Sequence, residues 1–296
     1  MTPSFLERVA GRPPLLGDGA MGTELQKRGL SPGECPEEFN ILRPEVVQGI
    51  YRDYFEAGSD IVETNTFGAN RSRLTLHGLA DRAAEISERS ARLARQVCPG
   101  GRFVAGSIGP TGDILEPLGS RSLQEARDIF REQAKALADG GVDVIIVETM
   151  MAVEEAEIAV RAVREATSLP VVATMTFEKG KAGLRTPWGV TVDTAVERLT
   201  GAGAHVIGSN CGNGFDDMIA AIKEMARITP LPLVAQPNAG VPQWKDGTSV
   251  YKETPDAVRP KAQELLDLGI AILGGCCGTN PGHIRMMRQL IDNLPA

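Results

Sequence analysis

The most restrictive feature of this sequence is a regular alternation of strand-like and helix-like segments. Apolar runs such as 142–147 are followed by amphipathic stretches such as 153–166, and the alternation occurs eight times within 296 residues. Apolar runs of this kind indicate parallel strands in a sheet that is covered on both faces. Eight strand–helix units without a long linker therefore predict an α/β protein with one (β/α)8 barrel, the TIM-barrel fold, as a single domain over residues 1–296.

Turn residues and capping patterns divide the chain into elements. Strands are predicted at 14–16, 60–62, 103–107, 142–147, 170–175, 205–208, 233–236 and 270–273. Helices are predicted at 44–58, 81–97, 122–138, 153–166, 192–199, 215–227, 255–268 and 281–290. Ser122 and Glu125 form a capping box, and Gly201 and Gly203 are predicted to follow the helix 192–199. The chain between the first strand and residue 44 is predicted to be irregular.

A doubly wound open sheet is the main alternative, because it also alternates strands and helices. That fold needs a glycine-rich turn after its first strand, where a dinucleotide would bind. The turn Gly17-Asp18-Gly19-Ala20-Met21-Gly22 matches this fingerprint poorly, because the bulky Met21 lies close behind the second glycine. The barrel is therefore the preferred interpretation.

Functional side chains of such barrels lie at the carboxyl ends of the strands. Every predicted strand of this sequence ends in polar or thiol side chains. They are Asp18, Glu63, Asn65, Ser107, Glu148, Thr176, Cys211, Asn238, Cys276 and Cys277. We therefore expect these side chains to face one mouth of the barrel.

Three of the five cysteines occupy the ends of two predicted strands. Cys211 follows the sixth strand, and the pair Cys276-Cys277 follows the eighth strand between glycines. Strand alternation points Cys211 and Cys276 into the same mouth, and the glycines allow the backbone to turn Cys277 toward them. Three thiolates with an open fourth position are typical of a catalytic zinc site. The alternative is a set of buried cysteines that act only as small hydrophobic residues.

A zinc ion on three thiolates carries a net charge of −1, so it activates water weakly but keeps an added thiol ionised at neutral pH. This chemistry favours alkyl transfer to sulfur and needs no general base. Cys35 and Cys98 lack such a context and are interpreted as structural. His77 is interpreted as a surface residue and His205 as a core residue, whereas His283 is a weaker candidate for a place beside the metal ligands.

Composition limits the partners and the compartment. The 38 acidic residues outnumber the 31 Lys and Arg residues, which gives a net charge of −7 and disfavours nucleic acid or an anionic membrane as a partner. No apolar run reaches the roughly 18 residues that a membrane span needs. The N-terminus lacks the apolar core of a signal peptide, and five cysteines do not suggest a disulfide framework. A cytoplasmic protein is predicted.

Six motifs of the sequence resemble those of the zinc-dependent homocysteine S-methyltransferases. The motifs are Asp18-Gly19-Ala20-Met21-Gly22-Thr23, Thr64-Asn65-Thr66-Phe67, Gly109-Pro110-Thr111-Gly112, Asn210-Cys211, Gln236-Pro237-Asn238-Ala239-Gly240 and Gly274-Gly275-Cys276-Cys277-Gly278-Thr279. The resemblance covers almost the whole chain. It implies a (β/α)8 barrel that methylates homocysteine and forms methionine.

The resemblance also implies a metal centre of known composition. Zinc would be bound by Cys211, Cys276 and Cys277, with the homocysteine sulfur as the fourth ligand. Asn238 would lie beside the metal and occupy the open position when the substrate is absent.

Further roles implied by the resemblance concern the amino-acid part of the substrate. Asp18 and Glu148 would hold the ammonium group, although capping or ion pairing is the alternative role for these carboxylates. Backbone amides in a glycine-rich turn suit an anion, so this turn would hold the substrate carboxylate. The residues of the turn are Gly19, Ala20, Met21 and Thr23.

The methyl donor is the least constrained part of this interpretation. Donors in the family include a methylated corrinoid, S-methylmethionine, S-adenosylmethionine and betaine. The versions Gln-Pro-Asn-Ala-Gly and Cys-Cys-Gly-Thr resemble the homocysteine module of cobalamin-dependent methionine synthase, which implies methylcobalamin carried by a separate corrinoid protein or domain. S-methylmethionine-dependent members tend to have Arg where this chain has Gly278, and an aromatic content of 4% disfavours betaine. The segment 179–189 departs from the synthase pattern and is expected to influence the choice of donor or partner.

Two rival hypotheses keep part of this chemistry. In the first, zinc and methyl transfer are retained, but the acceptor is another small thiol or the protein demethylates a thioether. In the second, the barrel is a metal or redox sensor in which Cys276 and Cys277 respond to oxidants.

Overall fold

Eight parallel strands form the centre of the molecule. The computed structural model describes residues 3–245 and 248–295. The strands are β1 (Leu15–Leu16), β2 (Ile61–Glu63), β3 (Phe103–Ile108), β4 (Val144–Met150), β5 (Val171–Met175), β6 (Val206–Cys211), β7 (Leu233–Pro237) and β8 (Ile272–Leu273). Their order in the sheet is β1-β8-β7-β6-β5-β4-β3-β2. The two ends of this sheet meet, because the Asp60 amide donates a 2.6 Å hydrogen bond to the Leu16 carbonyl. The predicted (β/α)8 barrel is confirmed, and the doubly wound sheet is excluded.

Helices surround the barrel and follow its strands. They are Phe5–Val9, Met21–Lys27, Phe39–Leu42, Pro44–Ala57, Arg71–Thr75, Ala83–Val97, Leu123–Asp139, Val153–Ala166, Val192–Ala202, Phe215–Ile228, Pro255–Asp267 and Pro281–Asp292, with 3-10 turns at Pro36–Glu38 and Ala80–Arg82. Both Ser122 and Glu125 make the predicted capping-box bonds. Among the described residues, no helix has the length and apolarity to cross a membrane.

Several element boundaries differ from the sequence prediction. The helix predicted at 192–199 continues to Ala202 and includes Gly201, because only Gly203 adopts the left-handed conformation (φ 95°) that ends it. Strands β4 and β6 continue past their apolar runs through the polar residues that follow them. The region predicted to be irregular before residue 44 contains the helix Met21–Lys27, whose Ala20 cap lacks a capping side chain.

Two small hairpins extend from loops at the carboxyl end of the barrel. One pairs Glu178–Gly180 with Gly183–Arg185 after β5, in the segment that departs from the synthase pattern. The other pairs Gln243–Lys245 with Thr248–Val250 after β7. Both hairpins therefore lie on the side where the strand-end polar residues were expected.

The opposite, amino-terminal end of the barrel is filled by apolar side chains. Phe5 and Val9 of the first helix pack against interior residues such as Val144 and Val206, which begin their strands. The Phe5 ring meets Phe103 edge-on at a centroid distance of 5.5 Å. Among the described residues, this packing closes the interior of the barrel at its amino-terminal end.

Candidate metal and substrate site

The structure brings Cys211, Cys276 and Cys277 together at the mouth of the barrel. Cys211 is the last residue of β6, and the other two lie in the turn after β8. The Cys277 sulfur is 4.0 Å from the sulfur of Cys211 and 4.0 Å from that of Cys276. All three sulfurs lie within 4.8 Å of one another, so they can hold one metal ion.

The backbone around these cysteines is less regular than the sequence argument assumed. Cys211 has a φ of 66°, a left-handed conformation that costs an ordinary residue about 1–2 kcal/mol. Of the three glycines near the cysteine pair, only Gly278 is left-handed, with a φ of 81°. Gly275 is needed for a different reason, because a Cβ atom there would lie 2.3 Å from the Thr279 hydroxyl. The glycines thus act by close packing as well as by conformational freedom.

The spacing of the sulfurs fits a tetrahedral metal centre. Zn–S bonds of about 2.3 Å place two sulfurs about 3.8 Å apart in such a centre. Hydrogen bonds with the Cys211 and Cys276 thiols lower the pKa of Cys277 to about 3. The corresponding bonds to Cys211 and Cys277, together with burial, hold the pKa of Cys276 well above its usual range. Ionisation of all three thiols together needs a compensating cation.

A cavity of about 350 Å³ lies directly beside the cysteines. Its wall includes three carboxylates, Asp18, Glu63 and Glu148. Burial is the main reason why the pKa of each carboxyl is raised. Because three acidic groups share one cavity, a cationic group of a ligand would stabilise their ionised forms.

Each of these carboxylates is held by neighbouring strand ends. The Glu63 amide donates a 2.9 Å hydrogen bond to Asp18 Oδ2. Glu148 Oε1 accepts a hydrogen bond from the Ser107 hydroxyl, and its Oε2 accepts one from Asn210 Nδ2 at 3.1 Å. The carboxylates are therefore fixed before any ligand enters.

Glu63 and Gln236 are a part of this site to which sequence reasoning assigned no role. Gln236 Nε2 donates a 2.5 Å hydrogen bond to Glu63 Oε1 across the barrel mouth. Both residues line the cavity, and Gln236 Oε1 is buried without a hydrogen-bond partner among the described residues. Their positions at the ends of β2 and β7 were the available signal. From this signal Glu63 was expected at the mouth of the barrel, but no role in the site was predicted for it.

The turn that was expected to hold the substrate carboxylate also faces the cavity. All of its residues line the wall, namely Gly19, Ala20, Met21 and Thr23. Ala20 caps the helix Met21–Lys27, whose first amides have no acceptor within the helix. The Thr23 hydroxyl is buried and has no hydrogen-bond partner in the described part of the chain. A Cβ at Gly19 would lie 2.8 Å from the Thr279 hydroxyl, so only glycine fits there.

Asn238 lies behind the cysteines rather than on the cavity wall. Its Nδ2 donates a 2.6 Å hydrogen bond to the carbonyl of Gly212, the residue after Cys211. Its Oδ1 is buried without a partner among the described residues. Through Gly212 the side chain contacts the backbone next to Cys211, but Asn238 is absent from the residues that line the substrate-sized cavity.

The remaining cysteines and histidines lie outside the cluster. Buried Cys35 contacts Glu37 Oε2 at 3.3 Å, and half-buried Cys98 contacts the Pro99 carbonyl. His205, which was interpreted as a core residue, is only partly buried. Its ring accepts a hydrogen bond from the Val171 amide at the start of β5, at the end of the strand opposite to the mouth. His283 is buried and caps its own helix with Asn280. Exposed His77 lies in the turn after the helix Arg71–Thr75.

Tyr251 is a further residue near the cysteine cluster to which the sequence interpretation gave no role. Its ring packs against the backbone of Gly278, the residue after Cys277, and the nearby hydroxyl helps to lower the pKa of the Cys277 thiol. Burial is the main cause that raises the pKa of Tyr251 itself. No motif pointed to this residue, because it follows a hairpin rather than a barrel strand.

Comparison with known proteins identifies the family. The family model described as homocysteine S-methyltransferase matches residues 15–291. Methionine synthase of Mycobacterium tuberculosis is 37% identical over 95% of this chain and 25% of that protein. Methionine synthase of Mycobacterium leprae is 35% identical over 95% of this chain and 24% of its own length. The chain therefore spans about a quarter of the length of these relatives.

Solved structures show the same fold. The homocysteine methyltransferase MmuM from Escherichia coli in its oxidized form superposes with a TM-score of 0.81 and 23% identity, over 96% of this chain and 98% of that one. Its metallated form gives a TM-score of 0.79 and 24% identity, over 95% and 97% of the two chains. The family match over residues 15–291 shows that the chain belongs to the homocysteine S-methyltransferase family.

Proposed function

We propose that this protein transfers a methyl group to the sulfur of homocysteine and forms methionine. Zinc is held by Cys211, Cys276 and Cys277, and the methyl group comes from a methylated corrinoid on a separate protein or domain. The observation that carries the proposal is one cavity of about 350 Å³ that has three clustered thiols on one wall and buried carboxylates on another. A short amino acid with a thiol side chain fits both walls at once.

The carboxylates account for recognition of the substrate amino group. Asp18 and Glu148 lie on the cavity wall with little exposure to solvent, and a charge-assisted hydrogen bond to an ammonium is worth more than a neutral one. Glu63 adds a third carboxyl group to the same wall. The substrate carboxylate is assigned to the free amides at the start of the helix Met21–Lys27, beside Gly19 and Ala20.

The protein's own task in the reaction is to position two partners and exclude water. When bound, zinc would supply a cation that keeps the substrate thiol ionised at neutral pH. The sulfur attacks the methyl carbon in line, a sulfur–carbon bond forms, and the bond to the donor breaks with its electron pair left on the donor. No proton has to be removed from an ionised thiol, which agrees with a cavity wall that has no histidine among its described residues.

A donor outside the cavity is consistent with the size of the site. The cavity is near the lower limit for ligand pockets, so a bulky donor must present its methyl group from the mouth of the barrel. The likeness to two methionine synthases supports a corrinoid as that donor. Free thiols as metal ligands require a reducing compartment, which supports a cytoplasmic location.

The proposal is tested by giving the zinc-loaded protein homocysteine and one methyl donor at a time. The donors are methylcobalamin, S-methylmethionine, S-adenosylmethionine and betaine, and the product measured is methionine. We expect methionine with methylcobalamin. Turnover with another donor alone would overturn the assignment of the corrinoid, and no methionine with any donor would overturn the reaction.

Removal of one ligand tests the metal site separately. Cys211→Ser should abolish both bound zinc and methionine formation, because two thiolates are left. Cys98→Ser is the matched control, since Cys98 lies at the end of the helix Ala83–Val97, outside the cluster. Zinc that remains at full occupancy in Cys211→Ser would contradict the assigned ligands.

A further inference from the structure

We propose that a groove on the rim of the barrel mouth receives one edge of the corrin ring of the methyl donor. This inference rests on the proposed function, in which the donor stays outside the substrate cavity. The groove encloses about 600 Å³, a size typical of ligand sites. It is lined by residues 110–118, by the start of the helix Val153–Ala166 and by Trp188, and we call it the rim groove.

The rim groove begins where the wall of the substrate cavity ends. Thr149 lines the substrate cavity, and Met151, two residues further along the chain, lines the rim groove. After the neighbouring strand β3, the ring of Phe67 lines the substrate cavity and would lie 2.5 Å from a Cβ atom at Gly109, whereas Pro110 already lines the rim groove. A broad donor that points its methyl group into the substrate cavity therefore reaches the rim groove with its periphery.

The surface of the rim groove combines exposed apolar side chains with carboxylates. Ile114, Leu118 and Trp188 are 50%, 80% and 50% exposed, and contiguous exposed apolar side chains mark binding sites on soluble proteins. Glu116 and Glu154 are exposed on the same lining. A corrin ring has an apolar surface edged by primary amides, so the ring can pack on the apolar side chains while its amide N–H groups donate to the carboxylates.

Hydrogen bonds hold both sides of the rim groove in place before a ligand binds. Thr111 donates to Glu155 Oε1 from its amide at 2.8 Å and from its hydroxyl at 2.6 Å, which joins the loop after β3 to the helix Val153–Ala166. Thr186 Oγ1 donates to the Met151 carbonyl at 2.7 Å, which joins the segment that carries Trp188 to the end of β4. A surface that is already ordered loses less conformational entropy on binding.

Two sequence features that the methyl-transfer chemistry leaves without a role form part of this groove. The motif from Gly109 to Gly112 supplies Pro110 and Gly112 to its lining. The segment 179–189, which was expected to influence the choice of donor or partner, supplies Trp188. Changes in this segment should therefore alter the contact with the donor without altering the zinc or homocysteine sites.

Steady-state kinetics with methylcobalamin test this contact in zinc-loaded protein. Trp188→Ala and Leu118→Ser each remove an exposed apolar side chain and should raise the KM for methylcobalamin by about 10-fold. The Kd of homocysteine and the zinc content should stay at parental values, because neither side chain lines the substrate cavity. Ile228→Ala is the matched control, since Ile228 is an exposed apolar residue at the end of the helix Phe215–Ile228, outside the rim groove.

Two further corrinoids separate binding from turnover and the ring from its tail. Cyanocobalamin has no methyl group to transfer, and equilibrium dialysis should show that Trp188→Ala binds it about 10-fold more weakly than the parent. Methylcobinamide lacks the nucleotide tail of methylcobalamin. Both variants should raise its KM by the same factor, and an increase confined to methylcobalamin would overturn the assignment of the groove to the ring.

Thermal unfolding verifies that the variants are folded. A parental KM for methylcobalamin in both folded variants would overturn the inference and leave the proposed reaction intact, since a groove that contacts only a carrier protein does not affect the free corrinoid. A changed oligomeric state with parental affinity for cyanocobalamin would overturn it in favour of a contact between copies of the chain. Absence of methionine with every donor in the parent protein would remove the proposed function and this inference together.

Discussion

Glu148→Gln is the substitution that most directly tests the recognition of an amino acid. It removes one negative charge from the cavity and keeps the shape of the side chain. The neighbouring Asn210 cannot rotate its amide freely, because its Oδ1 accepts 2.8 Å hydrogen bonds from the Thr149 amide and the Thr174 hydroxyl. The introduced side-chain amide must therefore turn its oxygen toward Asn210 Nδ2 and its amino group toward the Ser107 hydroxyl, which can accept a hydrogen bond.

The magnitude follows from the interaction that the substitution removes. A hydrogen bond to a charged group contributes about 1.5–3 kcal/mol, which corresponds to about a 10- to 150-fold change in affinity. Asp18 and Glu63 remain on the cavity wall and limit the loss to this range. The Kd of homocysteine should rise by this factor, whereas zinc content should stay at the parental value.

Isothermal titration of zinc-loaded protein measures this binding without a methyl donor. The comparison ligand is 4-sulfanylbutanoate, which is homocysteine without its amino group. We expect Glu148→Gln to weaken homocysteine and to leave the comparison ligand unchanged or bound more tightly. Glu155→Gln is the matched control, since Glu155 is a buried carboxylate bonded to Thr111 and lies outside the cavity. An equal loss for the two thiols, or no loss for either, would refute an ammonium contact at Glu148.

Two further predictions concern stability. Phe5→Ala should lower the free energy of unfolding by about 3–5 kcal/mol in urea titrations, because Phe5 is 3% exposed, and it should leave zinc content unchanged since it lies at the closed end of the barrel. Burial is the main cause that raises the pKa of Glu63 above its ordinary value of 4.5. Protonation of Glu63 therefore stabilises the folded form fully at a pH below 4.5, and this contribution is lost as the pH rises through the pKa of the folded protein. Glu63→Gln should therefore reduce the fall in melting temperature between acidic and neutral pH in metal-free protein; an unaltered pH profile would argue against this coupling.

The barrel was predictable because its evidence is local and repeated. Apolar strands and amphipathic helices alternate with periods that depend only on neighbouring residues, and the helix 153–166 was predicted with the bounds Val153–Ala166 that the structure shows. The predicted ends of strands and helices were wrong where tertiary contacts determine them. The apolar pattern of β4 ends before Glu148, yet the strand continues to Met150, because it still pairs with Met175 of β5. The helix Met21–Lys27 was missed because no side chain caps it.

The candidate site was partly predictable for a different reason. A parallel barrel collects all strand ends at one mouth, so the three cysteines and the carboxylates at positions 18, 63 and 148 could be grouped from their place in the pattern. The contacts among them could not be derived in this way. The hydrogen bond between Gln236 and Glu63 joins residues 173 positions apart, and Tyr251, which packs on Gly278 beside the cysteine pair, follows a hairpin that belongs to no barrel strand.

Asn210 shows how the two halves of the site depend on each other. It precedes Cys211, and its side chain donates to Glu148 Oε2 at 3.1 Å and accepts from the Thr149 amide at 2.8 Å. Cys211 and Thr149 are the two non-glycine residues with positive φ in the described chain, at 66° and 58°. Strained backbone of this kind persists only where surrounding contacts hold it, and here one amide holds both strand ends. The Asn210 side chain thus fixes both Cys211, which carries a thiol of the metal site, and Glu148, which carries a carboxylate of the substrate site. The distance between these two walls of the cavity therefore depends on one residue.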